Sequence, residues 1–184
     1  MGKILSERFF NRPTLEVAER LLGCFLCRRM GRKVVRLEIT EVEAYDGPED
    51  KASHAHRGKT KRNAPMFGEA GRWYVYFTYG MHWMLNITTG PKDYPAAVLI
   101  RGAVCKSQTL SAESLTLTEE ISGPARLTKF LEIDKRFNNK KAGIKTGLWI
   151  EKGAGKPKFK HTPRIGVAYA GLVWSKKKYR FLRS

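Results

Sequence analysis

A chain of 184 residues with 42% apolar content can fill one core and is short for two. Its 35 Lys and Arg outnumber 17 Asp and Glu, leaving a formal charge of +18 that points to a polyanionic partner, nucleic acid first. An anionic membrane is disfavoured: there is no basic amphipathic helix, no apolar run near ~18 residues, and no signal-peptide core in Met1-Gly2-Lys3-Ile4-Leu5-Ser6. The expected location is the cytoplasm and nucleoid, or the nucleus in a eukaryote.

The three cysteines are Cys24, Cys27 and Cys105. Cys24 and Cys27 have the spacing of a zinc pair, but no second pair follows, so thiols in a reducing compartment are expected.

Asn11-Arg12-Pro13-Thr14 opens a helix, with Asn11 or Thr14 as cap. Leu15, Ala18 and Leu22, with Val17 and Leu21, form its apolar face, and Gly23 ends it. Cys24 to Met30 reads as a strand, Gly31-Arg32-Lys33 as a turn, and Val34 to Tyr45 as the returning strand. Strict alternation in that second strand puts Val35, Leu37, Ile39, Glu41 and Glu43 on one face. An apolar stripe therefore runs into two carboxylates just before Asp46-Gly47-Pro48. Burial there would raise a carboxyl pKa and make a better base; the alternative is a plain ion pair with Arg or Lys.

Asp46 to Pro65 is a long polar segment carrying His54, His56 and the basic run Arg57 to Asn63, suited to phosphate contact or simply solvated. Arg72 to Tyr79 is a strand with aromatic residues on both faces, broken by Gly80. Trp83 to Thr88 returns, with Trp83, Leu85 and Ile87 on one face and Met84, Asn86 and Thr88 on the other. Tyr79-Gly80-Met81-His82 is then a hairpin tip: a wedge if it projects, or a lid on its own core if it folds back.

Ala97 to Cys105 is an apolar strand interrupted by Arg101, which should face a carboxylate or a polar pocket. Lys106 to Glu120 is a Ser/Thr-rich connection. Ser122 caps a helix with Pro124 in its first turn, running from Ala125 to Glu132 with Leu127, Phe130 and Leu131 inside. Asp134 to Lys145 is basic and irregular, Gly147 to Glu151 a short strand, and Gly153 to His161 a basic loop. Ile165 to Ala170 is a last strand or buried turn, and Trp174 to Phe181 a basic aromatic tail. With no repeat and no linker, the reading is a single α+β domain over residues 1–184. Its antiparallel or mixed sheet would carry flanking helices and a protruding hairpin.

These residues resemble a known family. Glu41 to Asp50, Ala52-Ser53-His54, Arg62-Asn63, Met66-Phe67 and Tyr74 to His82 look like the 3-methyladenine DNA glycosylases of the alkyladenine (methylpurine) type. So do Asn86, Ala97 to Arg101, Ser122 to Leu127 and Pro163 to Gly171, and the likeness runs in one order from about Leu15 to Gly171. It implies a monofunctional enzyme, without metal or other cofactor, that flips damaged purines out of double-stranded DNA and hydrolyses the N-glycosidic bond. Glu43 matches the general base that activates water, and Arg101 the residue that helps hold that water. Tyr45, His54 and Tyr76 match residues stacked around the flipped base, and Asn86 one that restricts the purine edge. Tyr79 matches the intercalating residue, with Met81 and His82 beside it in the minor groove. Lys59, Thr60, Arg62 and Arg126 fall in segments that contact phosphates. One-site duplex readers are usually monomers, and no membrane partner is implied. After Arg101 the family usually continues with an acidic-Pro pair, whereas Gly102-Ala103-Val104-Cys105-Lys106 stands here, which leaves the lesion range open.

Three rivals remain at this level. A non-catalytic DNA-binding module would satisfy the charge but not Glu43. A metal-dependent nuclease would use Glu41, Glu43 and a His. A glycosylase-lyase would need a buried Lys nucleophile, and no Lys stands out in an apolar strand.

Overall fold

The computed structural model describes residues 2–105, 119–153, 155 and 157–184. The strands among them are β1 (Phe25–Met30), β2 (Lys33–Asp46), β3 (Trp73–Thr78), β4 (His82–Thr88), β5 (Ala96–Cys105), β6 (Glu119–Ser122), β7 (Leu148–Glu151), β8 (Phe159–Thr162) and β9 (Arg180–Arg183). They form one sheet in the order β3-β4-β5-β2-β1-β7, with β6 on β5, β9 on β2 and β8 on β9. All pairings are antiparallel. Among the described residues four short helices accompany the sheet: α1 (Glu7–Phe10), α2 (Thr14–Leu21), α3 (Pro124–Phe130) and α4 (Gly171–Lys176). This is the α+β arrangement expected from the sequence. Of the connection expected over Lys106 to Glu120, residues 106–118 lie outside the described residues, and Glu119 and Glu120 belong to β6 instead, paired with Cys105 and Val104.

One face of the sheet is the core. Leu37, Ile39, Val42, Ala44, Trp73, Leu85, Ile87, Val98, Ile100 and Ala103 are fully buried there, under Val17, Ala18 and Leu21 of α2. Each such branched side chain contributes about 1.5–3 kcal/mol relative to exposure. The opposite face, between β2 and β3, carries the candidate site.

The long strand β2 does not alternate as the sequence suggests. Ile39 pairs with Ala103 and Glu41 with Gly102, then Val42 with Ile100, so Thr40 and Arg101 are each an extra residue. These two bulges change the phase of both strands at one level. Before the change Leu37 and Ile39 face the core; after it Val42 and Ala44 do. The expected shared face for Leu37, Ile39, Glu41 and Glu43 is therefore corrected: the carboxylates point away from that stripe. Gly102 permits the crossing, since a Cβ there would lie 3.1 Å from Glu41 Cβ and 3.2 Å from Thr40 Oγ1.

Beyond the bulge the β1 edge of β2 is taken over by β9, which pairs with Glu41, Val42 and Glu43. The expected basic tail over Trp174 to Phe181 is thus the end of α4 and a sheet strand, with Phe181 buried. Ile165 to Ala170 is a turn with a short 3-10 segment at Ala168–Ala170 rather than a strand.

Neither expected helix cap is used. Pro13 precedes α2, Asn11 closes α1, and the Thr14 hydroxyl donates instead to Asp46 Oδ1 at 2.7 Å. Ser122 is the last residue of β6, and Gly123, at φ 101°, leads into Pro124. In α3, Leu127 and the following Leu131 are buried as expected, but Phe130 is 38% exposed because it sits on the outer side of the last turn.

Candidate active site

The site is built on the face left free by the core. Along β2 the phase change turns Glu41, Glu43 and Tyr45 outward together, and β5 presents Ala97, Leu99 and Arg101 beside them. On β3 and β4, residues alternating with the core set (Tyr74, Tyr76, Met84 and Asn86) line the same cleft. Residues from 51–57 and 165–169 add further walls. Met66, the hairpin residues Thr78, Tyr79 and His82, and Pro124 and Ala125 complete the lining, and the volume is about 890 Å³.

Glu43 has no exposed surface and sits just behind the cleft wall. Its Oε1 accepts the Ile165 amide at 2.8 Å and lies 3.5 Å from Arg101 Nε; its Oε2 accepts the Tyr45 hydroxyl at 2.9 Å. All three of those neighbours line the cleft. Burial pushes the carboxyl pKa up, against the opposing effects of Arg101, the Ile165 amide and Tyr45. Glu41 plays a different part. Its Oε1 accepts from Arg101 Nε at 2.8 Å and from Arg180 Nε at 2.7 Å. Arg101 is thereby shared, and its closer partner is Glu41, which leaves Glu43 only partly neutralised. The ion-pair alternative holds for Glu41, and the desolvated-carboxyl reading for Glu43.

Aromatic rings form the opposite wall. Tyr74 and Tyr76 have centroids 5.1 Å apart, and His54 stands edge-on to Tyr76 at 4.7 Å. His54 Nδ1 lies 3.1 Å from the Tyr74 hydroxyl. Burial, and then the charge of Arg62, hold the His54 pKa below its ordinary value, so the ring is neutral at pH 7. Asn86, 2% exposed, donates to the Tyr74 carbonyl at 3.0 Å, fixing its amide on the cleft floor.

The hairpin tip projects. Tyr79 at φ 51° and Gly80 at φ 66° turn the chain in the left-handed region, and Met81 N–H donates to the Thr78 carbonyl at 3.1 Å. Tyr79 is 83% exposed, so the tip is not folded onto its own core. A bulky residue at positive φ is strained, and such strain gathers at functional sites.

The long segment after Asp46 is ordered by buried polar ties rather than by a core of its own. Asn63, 1% exposed, donates to the carbonyls of His54 and Gly58, both at 2.9 Å. Asp50 and Arg164 form a two-pronged ion pair, at 2.5 and 2.8 Å, with both side chains fully buried. Asp50 also accepts the amides of Asp46 and Ala52, each at 3.1 Å. Arg164 also donates to the Ala44 carbonyl at 2.8 Å and lies over the Tyr45 ring at 4.8 Å. One buried pair therefore fixes the His54 segment, the Glu43–Tyr45 strand and the Ile165 amide relative to each other.

Of the residues expected from sequence, Tyr45, His54, Tyr76, Tyr79, His82, Asn86 and Arg101 line one cleft, with Glu43 directly behind it. Met81 stands at the tip outside it, 66% exposed. Lys59, Thr60 and Arg126 are exposed and do not line the cleft, although Pro124 and Ala125, next to Arg126, do. Arg62 is engaged at the hairpin base, donating to the Phe77 carbonyl at 3.0 Å and lying over Tyr76 at 4.9 Å. Sequence reasoning missed Arg180, Tyr74 and the Asp50–Arg164 pair. No local signal marks the last, because its two partners are 114 residues apart. Among the described residues no three His, Cys, Asp or Glu side chains come together as a metal site, and no helix is long and apolar enough to cross a membrane. Cys24 and Cys27 are buried, and burial pushes the Cys27 thiol up to about 12.

A carboxyl behind an aromatic cleft, next to an exposed apolar hairpin on a basic protein, is the arrangement of a base-excising enzyme. The family model for methylpurine-DNA glycosylase (MPG) matches residues 8–184. A protein of Methanocella arvoryzae is 42% identical over 91% of this chain and 86% of its own length. Proteins of Streptomyces avermitilis (41% identical, 92% and 84% covered) and Chlorobium phaeobacteroides (45%, 74% and 72%) are similar. All three carry 3-methyladenine DNA glycosylase in their names. The chain belongs to the methylpurine-DNA glycosylase family.

Proposed function

We propose that this protein removes alkylated purines, 3-methyladenine among them, from double-stranded DNA as the first step of base excision repair. The single observation that carries the mechanism is the Glu43 carboxyl, buried with a raised pKa between Arg101, Tyr45 and the Ile165 amide.

A purine in a duplex is out of reach, so its nucleotide turns out into the cleft while Tyr79 fills the gap it leaves. The base then lies among Tyr45, His54 and Tyr76. Electron-rich faces favour a cationic alkylpurine, and the neutral His54 adds no opposing charge. Asn86 on the floor disfavours a purine with an extra exocyclic amine by steric conflict. The C1′–N bond breaks, its electron pair goes to the departing base, and positive charge develops on the sugar. Water adds at C1′ and passes its proton to Glu43. The Glu43 charge also stabilises the oxocarbenium-like sugar before water adds. Each Glu43 oxygen accepts one hydrogen bond, from Ile165 or Tyr45, which leaves a second lone pair for the water. A deaminated purine, hypoxanthine, is neutral and a poorer leaving group, so it belongs to the range as a slower substrate.

The test is release of methylated purines from alkylated duplex DNA, alongside single-turnover excision from a duplex with one hypoxanthine, both in EDTA. Free base with an intact phosphodiester strand supports the reading. Strand cleavage that requires divalent metal would replace it with the nuclease reading.

Two binding results are expected. Changing Tyr79 to Ser should weaken affinity for an abasic duplex by about tenfold, since base–aromatic stacking is worth ~1–3 kcal/mol; unchanged affinity would remove the wedge. Log Kd should rise linearly with log salt, with a slope of several units, as several cations displace counterions. A flat response in a fluorescence anisotropy titration would count against phosphate contact by Lys59, Arg126 and their neighbours.

A further inference from the structure

Among the described residues, the most exposed apolar side chains are gathered in two places. Tyr79 and Met81, 83% and 66% exposed, form the hairpin tip on the β3–β4 side of the cleft. Ile165, Tyr169, Leu172 and Val173, at 51%, 69%, 78% and 70%, stand on the β2 side, across β5 from the tip. Among the described residues only Val34 also leaves more than half of a large apolar side chain in solvent.

The second group is continuous with the cleft, because Ile165 and Tyr169 line it. It is also held in place. The Tyr169 hydroxyl donates to the Ala52 carbonyl at 2.8 Å, while Val167, Ala170 and Trp174 pack with Ala52 beneath. Trp174 turns inward, so Leu172 and Val173 on α4 turn outward at no cost to the underlying packing. Cations flank the ridge: Lys51 and Arg57 line the cleft, and Lys176, the last residue of α4, and Lys178 just past it are exposed. Apolar patches left in solvent mark contact surfaces, and cations around one select a polyanion with apolar faces to offer.

We propose that Tyr169, Leu172 and Val173 form a second DNA-contacting ridge. It packs on deoxyribose surfaces of the minor groove, on the side of the flipped nucleotide away from Tyr79. The duplex is then gripped by apolar groups on both sides of the opened step, with Tyr79 as the wedge and α4 as the rest. The inference builds on the glycosylase reading above and adds a contact which that reading does not need.

The experiment is a salt series of anisotropy titrations on a duplex with a tetrahydrofuran abasic analogue, comparing wild type with a Leu172→Ser/Val173→Ser double variant. Both positions are on the surface, and a melting curve checks that the fold is intact. The expected result is a Kd raised about tenfold at every salt concentration, with the slope of log Kd against log salt unchanged, because apolar contacts release no counterions. Equal affinities, or a loss that appears only as a changed slope, would overturn the ridge. Wild type that binds the abasic duplex no better than an undamaged one would overturn the glycosylase reading instead.

Discussion

Glu43→Gln is expected to lower single-turnover excision by about 10³-fold, the usual scale for loss of a general base, while affinity for an abasic duplex stays within about twofold. The amide has the shape of the carboxyl and cannot take the proton from water. Its environment also fixes a pH dependence. Burial raises the Glu43 pKa, and the charge of Glu41 adds to that, while Arg101, the Ile165 amide and the Tyr45 hydroxyl pull it down. The protonated acid is inactive as a base, so the wild-type rate falls as pH drops through this raised pKa. In the variant that acid limb disappears.

The same raised pKa bears on stability with a definite sign. The folded state holds the Glu43 proton more tightly than the unfolded chain does. The stability this contributes is complete below the unfolded pKa and is lost as pH rises through the folded one. Above the folded pKa the ionised Glu43 is therefore a burden on the fold, and Glu43→Gln should melt no lower than wild type. A variant that is inactive but also melts several degrees lower would make Glu43 structural instead of catalytic.

Arg164→Met is expected to cost about 3–5 kcal/mol, or roughly 10 °C in Tm, because removing one partner of a buried ion pair strands the other charge. Asp50 would be left fully buried with only the two backbone amides, and the Ala44 carbonyl would lose its donor. Adding Asp50→Asn to the same chain should recover part of the loss, since an amide carries no stranded charge. Denaturant unfolding of the two single variants and the double variant forms the cycle that measures this. Additive losses would mean that the pair is not a coupled unit. Arg164→Lys should fall between, keeping the charge but losing the second prong.

Local period was enough to read much of this molecule. The faces of β4 alternate as expected, with Leu85 and Ile87 in the core and Met84 and Asn86 in the cleft. The tip at Tyr79 and Met81 was visible because large apolar groups replace the usual turn residues. Glu43 was legible as a desolvated carboxyl, though for a partly mistaken reason. The stripe ending in Glu43 predicted burial, and Glu43 is buried, but on the other face. That error came from Thr40 and Arg101, 61 positions apart, whose extra length shows only when β2 and β5 lie side by side. Arg180 was read as tail for a similar reason, since β9 reaches Glu41 only through a pairing 139 residues distant in sequence. The partners Asp50 and Arg164 are separated by 114 residues, and neither segment alone says that they meet. In each case the missing information was a long-range pairing rather than a local preference.

The paired bulges have a consequence for how this chain can change length. Parity along β2 and β5 decides which side chains are inside, and both strands reset it at one point, over Gly102. Deleting Thr40 alone would carry Leu37 and Ile39 toward solvent or drive Glu43 and Tyr45 into the core, whichever half of the strand held its place. A matching change in β5 is needed to restore the count. The position of the acid in this sheet is thus encoded as an odd–even choice shared by two distant stretches. Length variation can collect in the turns, but at these two residues it has to occur in concert.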